Sequence, residues 1–80
     1  MSITTEDMEK LANICYWYEE KNFIEAWMKA GASRSLAEHL FAKFIQHDNG
    51  LDIAGFYYGL DNENRKRFLK FIKLYKVSEK

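Results

Sequence analysis

Three side chains in this sequence have the chemistry of a nucleophile or a general base: Cys15, His39 and His47. Together they would make a thiolate attack with an imidazole taking the proton. That chemistry requires an activated thiol within hydrogen-bond reach of a histidine. Cys15 falls in the middle of an apolar helical face formed by Met8, Leu11, Ala12, Cys15 and Tyr18, where a thiol is expected to be buried and inert. His39 projects away from the apolar side of its helix, beside Lys43 and Gln46, and reads as a solvated imidazole. His47 closes the same helix, where a histidine complements the dipole. One cysteine and two widely spaced histidines do not make a zinc ligand set. The expectation is therefore a non-enzyme with no catalytic residue, metal or cofactor.

Two further motifs suggest ligands. Asp48-Asn49-Gly50-Leu51-Asp52 has the look of a calcium loop. With Gly50 at the sharp-turn position, however, the first and last ligand positions fall on Ile45 and Phe56, neither of which binds calcium. The segment is expected to be a turn. Ala26–Leu36 has a short helix, a glycine turn at Gly31 and a Ser33-Arg34-Ser35 entry to a second helix, and it resembles the bihelical unit of many repressors. The outward face of the second helix carries Glu38, His39 and Ala42, with only Arg34 and Lys43 to meet phosphate. Affinity for DNA rests largely on neutralised phosphates, so this helix is poorly suited to a groove.

The cations are concentrated later in the chain. Lys66, Lys70 and Lys73 share one face of the last helix, opposite Phe68, Ile72 and Tyr75, with Arg65, Arg67 and Lys76 flanking. Such a face suits an acidic protein patch or a nucleic-acid backbone, or else is an ordinary solvated exterior. A membrane surface is disfavoured because the apolar side of the helix is needed for the core. Two aromatic features stand outside the expected core. Trp17 lies about 140° from the centre of the first helix's apolar face, at about 100° per residue. Leu51–Leu60 carries a single charge, Asp52, and apolar side chains all round, so it reads as a largely buried helix from which Phe56, Tyr57 or Tyr58 could emerge as a patch.

These residues must be positioned by helices. The chain has no proline, and its breaks come from glycine and capping residues. Five segments follow, at about 5–20, 22–30, 35–47, 51–60 and 62–77. Gly31 supplies a left-handed C-cap, Ser35-Leu36-Ala37-Glu38 a capping box, and Asp61 an N-cap. The inward faces are Phe23, Ala26, Trp27 and Ala30; then Leu36, Leu40, Phe41, Phe44 and Ile45; then Phe68, Phe71, Ile72 and Tyr75. No strand alternation competes, so the fold class is all-α: a compact bundle of about five short helices in a single domain spanning 1–80.

Composition supports that frame. Eighty residues bury only about 60% of their unfolded surface, and an aromatic content of 16% offsets the small core. A lone cysteine, no apolar leader in Met1–Lys10 and no long apolar run suit a cytoplasmic protein. The net charge of zero hides a split: residues 1–25 carry six acids against two bases, and residues 62–80 seven bases against two acids. The ends are expected to pair within the chain, between two copies as a homodimer, or with separate partners. In size and style the chain looks like phage or mobile-element accessory proteins, including anti-CRISPR-like and host-machinery inhibitors, a likeness that carries no residue roles.

The leading expectation is a protein-binding regulator or inhibitor that occludes the surface of an acidic partner through Trp17, Tyr57, Tyr58, Arg65, Lys66, Lys70 and Lys73. The alternative is a small nucleic-acid-binding regulator using the basic C-terminal helix. Trp17→Ala is expected to leave circular dichroism and thermal unfolding unchanged while weakening partner capture; loss of folding would place Trp17 in the core.

Overall fold

The computed structural model describes residues 3–76. They form five helices, α1 (Thr5–Trp17), α2 (Glu20–Lys29), α3 (Arg34–Gln46), α4 (Ile53–Tyr58) and α5 (Asn62–Leu74), with no strand among the described residues. The all-α class read from caps and spacing is the class observed.

Local chemistry sets most of the boundaries. Thr4 Oγ1 accepts from the Asp7 amide at 3.1 Å, Asp52 Oδ1 from Gly55 at 3.1 Å, and Asp61 Oδ1 from Asn64 at 2.8 Å, so α1, α4 and α5 each start on a side-chain oxygen. The end of α2 is a Schellman turn. Gly31, at φ 110°, donates to the Met28 carbonyl, and Ala32 donates back to Trp27.

Four expectations need correction. The cap of α3 is Ser33, not Ser35: its hydroxyl accepts from the Leu36 amide at 3.1 Å, and Glu38 pairs with Arg34 at 3.5 Å instead of closing a capping box. The turn after Gly31 delivers Ser33 in an extended conformation, so this hydroxyl meets the free amides first. The first helix stops at Trp17 because residues 18 and 19 are extended, and α2 therefore begins at Glu20. The inward face of α1 is turned toward Ile14, which is buried, while Met8 is 62% exposed and Ala12 is also exposed. The fourth segment is a six-residue helix with Phe56 buried, not part of a patch, and with Leu51, Ala54 and Tyr58 exposed. The expected end of the fifth helix at Val77 lies outside the described residues; α5 itself ends at Leu74.

The core is aromatic. Ring centroids of Phe23 and Phe44 lie 4.8 Å apart, Phe44 and Phe56 5.7 Å, Phe56 and Phe68 5.9 Å, Phe68 and Phe71 5.8 Å, and Phe71 and Phe23 4.8 Å, so five rings close a circuit through α2, α3, α4 and α5. Trp27 stacks on Phe71 at 4.9 Å and is fully buried. Its indole N–H finds no acceptor among the described residues, so it contributes through packing alone. Tyr18 extends the cluster from the end of α1, edge-on to Phe41 and Phe44.

Between α3 and α4 the chain reverses through Asp48, Asn49 and Gly50, all at positive φ. Asp and Asn tolerate this region better than other non-glycine residues, and Gly50 is further constrained by its neighbour. A Cβ at Gly50 would run into the Phe44 ring, whereas one at Gly31 meets only Arg67 Nε at 3.7 Å. Gly50→Ala combines backbone strain with overpacking and is expected to cost about 2–4 kcal/mol, against about 1–2 kcal/mol for Gly31→Ala. Urea unfolding of the two variants checks the order; equal losses would mean that the Phe44 ring yields.

Candidate partner-binding site

The short helix α4 and the start of α5 meet at a corner, and four of the seven predicted binding residues lie there. Phe56 is buried, Tyr57 is half-buried against Phe68 at 5.5 Å, and Tyr58 is 71% exposed. The progression follows from the 100° step between consecutive helical residues: once Phe56 is fixed inward, Tyr57 takes the flank and Tyr58 faces water.

The end of α4 leaves carbonyls without intrahelical donors; Arg65 of α5 satisfies that of Tyr58 and shares that of Tyr57 with the Leu60 amide. Its Nη2 donates to the Tyr58 carbonyl at 2.9 Å and its Nε to that of Tyr57 at 3.4 Å. The same guanidinium lies 5.8 Å from the Tyr57 ring centroid and 5.9 Å from that of Tyr58, and the two rings meet edge to face at 5.4 Å. Tyr58 is thus exposed and held. On the Tyr57 side of the corner runs an open groove of about 460 Å³ lined by Tyr57, Asn62, Arg65, Lys66 and Leu69.

The lysines of α5 divide into two sets. Lys66 and Lys70 are exposed and make no ion pair among the described residues. Lys73 faces α1 instead: its ammonium is 3.8 Å from Asp7, and its carbonyl accepts from Lys10 Nζ at 2.8 Å. Arg67 is engaged with Asn64 Oδ1 at 2.9 Å and Glu63 at 3.8 Å. Trp17 ends α1, 59% exposed, and is not among the residues lining the groove.

Sequence reasoning missed Tyr16, which is 70% exposed, along with Leu69 and Asn62 in the groove wall. Tyr16 could have been found from a wheel centred on Ile14, since it then points outward. Leu69 and Asn62 gave no signal, because only the approach of α4 makes their side of α5 a groove.

The residues with reactive chemistry have other surroundings. Cys15 is half-buried, and burial pushes its thiol above the ordinary value, which lowers its thiolate fraction. His47 Nδ1 lies 3.1 Å from Asp52 Oδ2, linking the end of α3 to the start of α4 across the left-handed turn. His39 is exposed on α3. Among the described residues no group of three or more His, Cys, Asp or Glu is placed to hold a metal ion. The α2–α3 pair does have a short turn between helices, but Arg34 is paired with Glu38. A second groove of about 420 Å³, lined by Glu20, Lys21, Ile24, Glu25 and Arg34, is mixed in charge. No described helix is long and apolar enough to cross a membrane. Comparison with protein-family models, with curated proteins and with solved structures returns no match to this chain.

The His47 hydrogen bond, followed by the Gly55 amide, holds the Asp52 carboxyl below its ordinary value of 3.8. A depressed carboxylate contributes stability that is complete above the ordinary value and is lost as pH falls through the folded one. Asp52→Asn is therefore expected to lower stability at neutral pH and leave it nearly unchanged at strongly acidic pH, which flattens the acid limb of the curve. Urea midpoints from neutral to strongly acidic pH check this; parallel curves for the two proteins would remove Asp52 from the acid response.

Proposed function

We propose that this protein is a non-enzymatic, protein-binding regulator that occludes a partner's surface, with the α4–α5 corner as its binding face. The observation that carries this reading is Tyr58: its ring is 71% exposed while its backbone carbonyl and ring are both held by Arg65. Binding costs free energy when mobile side chains are immobilised, and an aromatic already fixed in place avoids most of that cost. Tyrosine also supplies a large contact area with few rotatable bonds. The fold accounts for both positions, since Arg65 caps α4 and the inward Phe56 turns Tyr58 to water, and together they leave a fixed aromatic on the surface. Lys66 and Lys70 add a local positive field that steers an acidic partner. The raised thiol of Cys15 and the engagement of His47 with Asp52 favour binding over catalysis. A single half-buried cysteine suits a cytoplasmic setting.

The nucleic-acid reading draws on five cations of α5, of which Arg65, Arg67 and Lys73 already have partners within the chain. Two phosphate contacts would give a salt dependence of about −2 in log K against log salt, where five would give about −4.5. That is a weak footprint for a module whose affinity must come from phosphates, so the protein partner is preferred.

Tyr58→Ala is expected to shift folding stability by about 1 kcal/mol or less and to abolish partner capture from the native host lysate. Capture should survive nuclease treatment. Capture that disappears with nuclease, or that persists unchanged in the variant, would overturn this reading.

A further inference from the structure

The groove lined by Tyr57 has a charge and a shape from which its occupant can be read, given that the corner is a binding face. Its lining combines the half-buried Tyr57, Arg65 and Leu69 with the exposed Asn62 and Lys66, and no carboxylate lines it. The acids nearest in sequence are occupied: Asp61 caps the Asn64 amide, and Glu63 pairs with Arg67. Lys70 is exposed one turn beyond Lys66 on the same face. Arg65 is spent on two carbonyls and two rings, so it shapes the wall, and the cations left to meet a ligand are the two lysines. A volume of about 460 Å³ lies at the lower end of ligand sites, and this one is open along its side. It fits one apolar side chain of a longer chain passing over it.

We infer that this groove takes a short acidic segment of a partner protein, one aliphatic or aromatic side chain seated against Tyr57 and Leu69 and flanking carboxylates on Lys66 and Lys70. Lysine ammonium groups are mobile point charges and suit carboxylates spaced along an extended segment. A single-stranded nucleic acid fits less well. Its backbone needs a cationic track, yet Arg67 and Lys73 are turned to partners within the chain, and Arg65 already lies over the Tyr58 ring. A second copy of this chain also fits less well. The chain's own acidic stretch, Glu6 to Glu9, is helical, and Asp7 is tied to Lys73.

The test uses the full chain, isotope-labelled, titrated with a peptide in which glutamates flank one leucine. Parallel titrations use the same peptide with serine for leucine, a peptide with lysines for glutamates, and oligothymidylate. The expected result is chemical-shift change at Tyr57, Lys66, Leu69 and Lys70 with the glutamate–leucine peptide. Its affinity should fall at least tenfold on the leucine-to-serine change and at least tenfold in the double variant Lys66→Glu/Lys70→Glu. Both substitutions are at exposed positions, and an unchanged circular dichroism spectrum confirms that the variant is folded. Binding of oligothymidylate as tight as that of the peptide, shifts confined to other surfaces, or no shifts would each overturn the acidic segment. So would self-association, by sedimentation, that the charge reversal abolishes. If Tyr58→Ala still abolishes partner capture while the peptide gives no shifts, the occupant is wrong and the binding face stands. If capture is unaffected by Tyr58→Ala, the binding face itself is wrong.

Discussion

Five phenylalanine rings closed into a circuit, with Trp27 stacked against it, carry the architecture of this small domain. Each ring touches two others on different turns or helices, so removing one leaves its neighbours unsupported. Truncating a buried aromatic typically costs about 3–5 kcal/mol, and a chain of 80 residues has a total stability of about 4–12 kcal/mol. The fold has few spare contacts. The circuit also explains α4, since six residues are too few to hold a helix in water. It forms because Phe56 is wedged between Phe44 and Phe68, Asp52 caps one end and Arg65 the other. The exposure of Tyr58 follows from the same wedge, so the candidate site is set by a core contact two residues away.

Part of the charge split along the chain is met where α5 lies against α1. The C-terminal half of α5 lies against the start of the chain: Lys73 meets Asp7 and Lys10, the Lys76 carbonyl accepts from Asn22, and the buried Tyr75 hydroxyl accepts from the Glu19 amide at 3.0 Å. The one surface ion pair among these, Lys73–Asp7, contributes little, but the Tyr75 contact is partly buried and fixes where α1 gives way to α2. The N-terminal half of α5 has no such neighbour. One basic helix therefore serves two purposes, its far end joining the termini of the fold and its near end presenting Lys66 and Lys70 to solvent.

Much of this was legible in the sequence where the signal is local. The Gly31 stop, the Asp61 cap, the turn at Asp48–Gly50 and the inward series Phe68, Phe71, Ile72 and Tyr75 depend on residues within a turn or two of one another, and the structure shows all of them. What was not legible depends on distant partners. No glycine or proline marks the end of α1; Tyr18 leaves the helix to pack on Phe41 and Phe44, and Glu19 to reach Tyr75. Met8 and Ala12 fit an apolar wheel as well as Ile14 does, and only the placement of α1 against α5 and the 48–50 turn turns Ile14 inward. The site divides in the same way. Exposure of Tyr58 and the basic face of α5 could be anticipated, whereas the role of Arg65 as a cap for α4 and of Leu69 as a groove wall could not.

Arg65 is where the two levels meet, and the proposed binding face rests on its geometry. A lysine there could neutralise a helix end but would present one point of charge to two carbonyls and two rings. The planar guanidinium reaches all four, donating from Nε and Nη2 while its face lies near Tyr57 and Tyr58. Each contact is weak, and the cation–π pairs are worth about 0.5–1 kcal/mol at an exposed site. Their combined effect is to couple the ring of Tyr58 to the backbone of α4 and the stem of α5, which are themselves anchored by Phe56 and Phe68 in the circuit. Rigidity in the core is thereby passed to a surface side chain. Lys66 and Lys70, by contrast, are exposed and make no ion pair among the described residues. On the proposed reading, this arrangement asks for one well-placed side chain from a partner while tolerating variation in the position of its carboxylates.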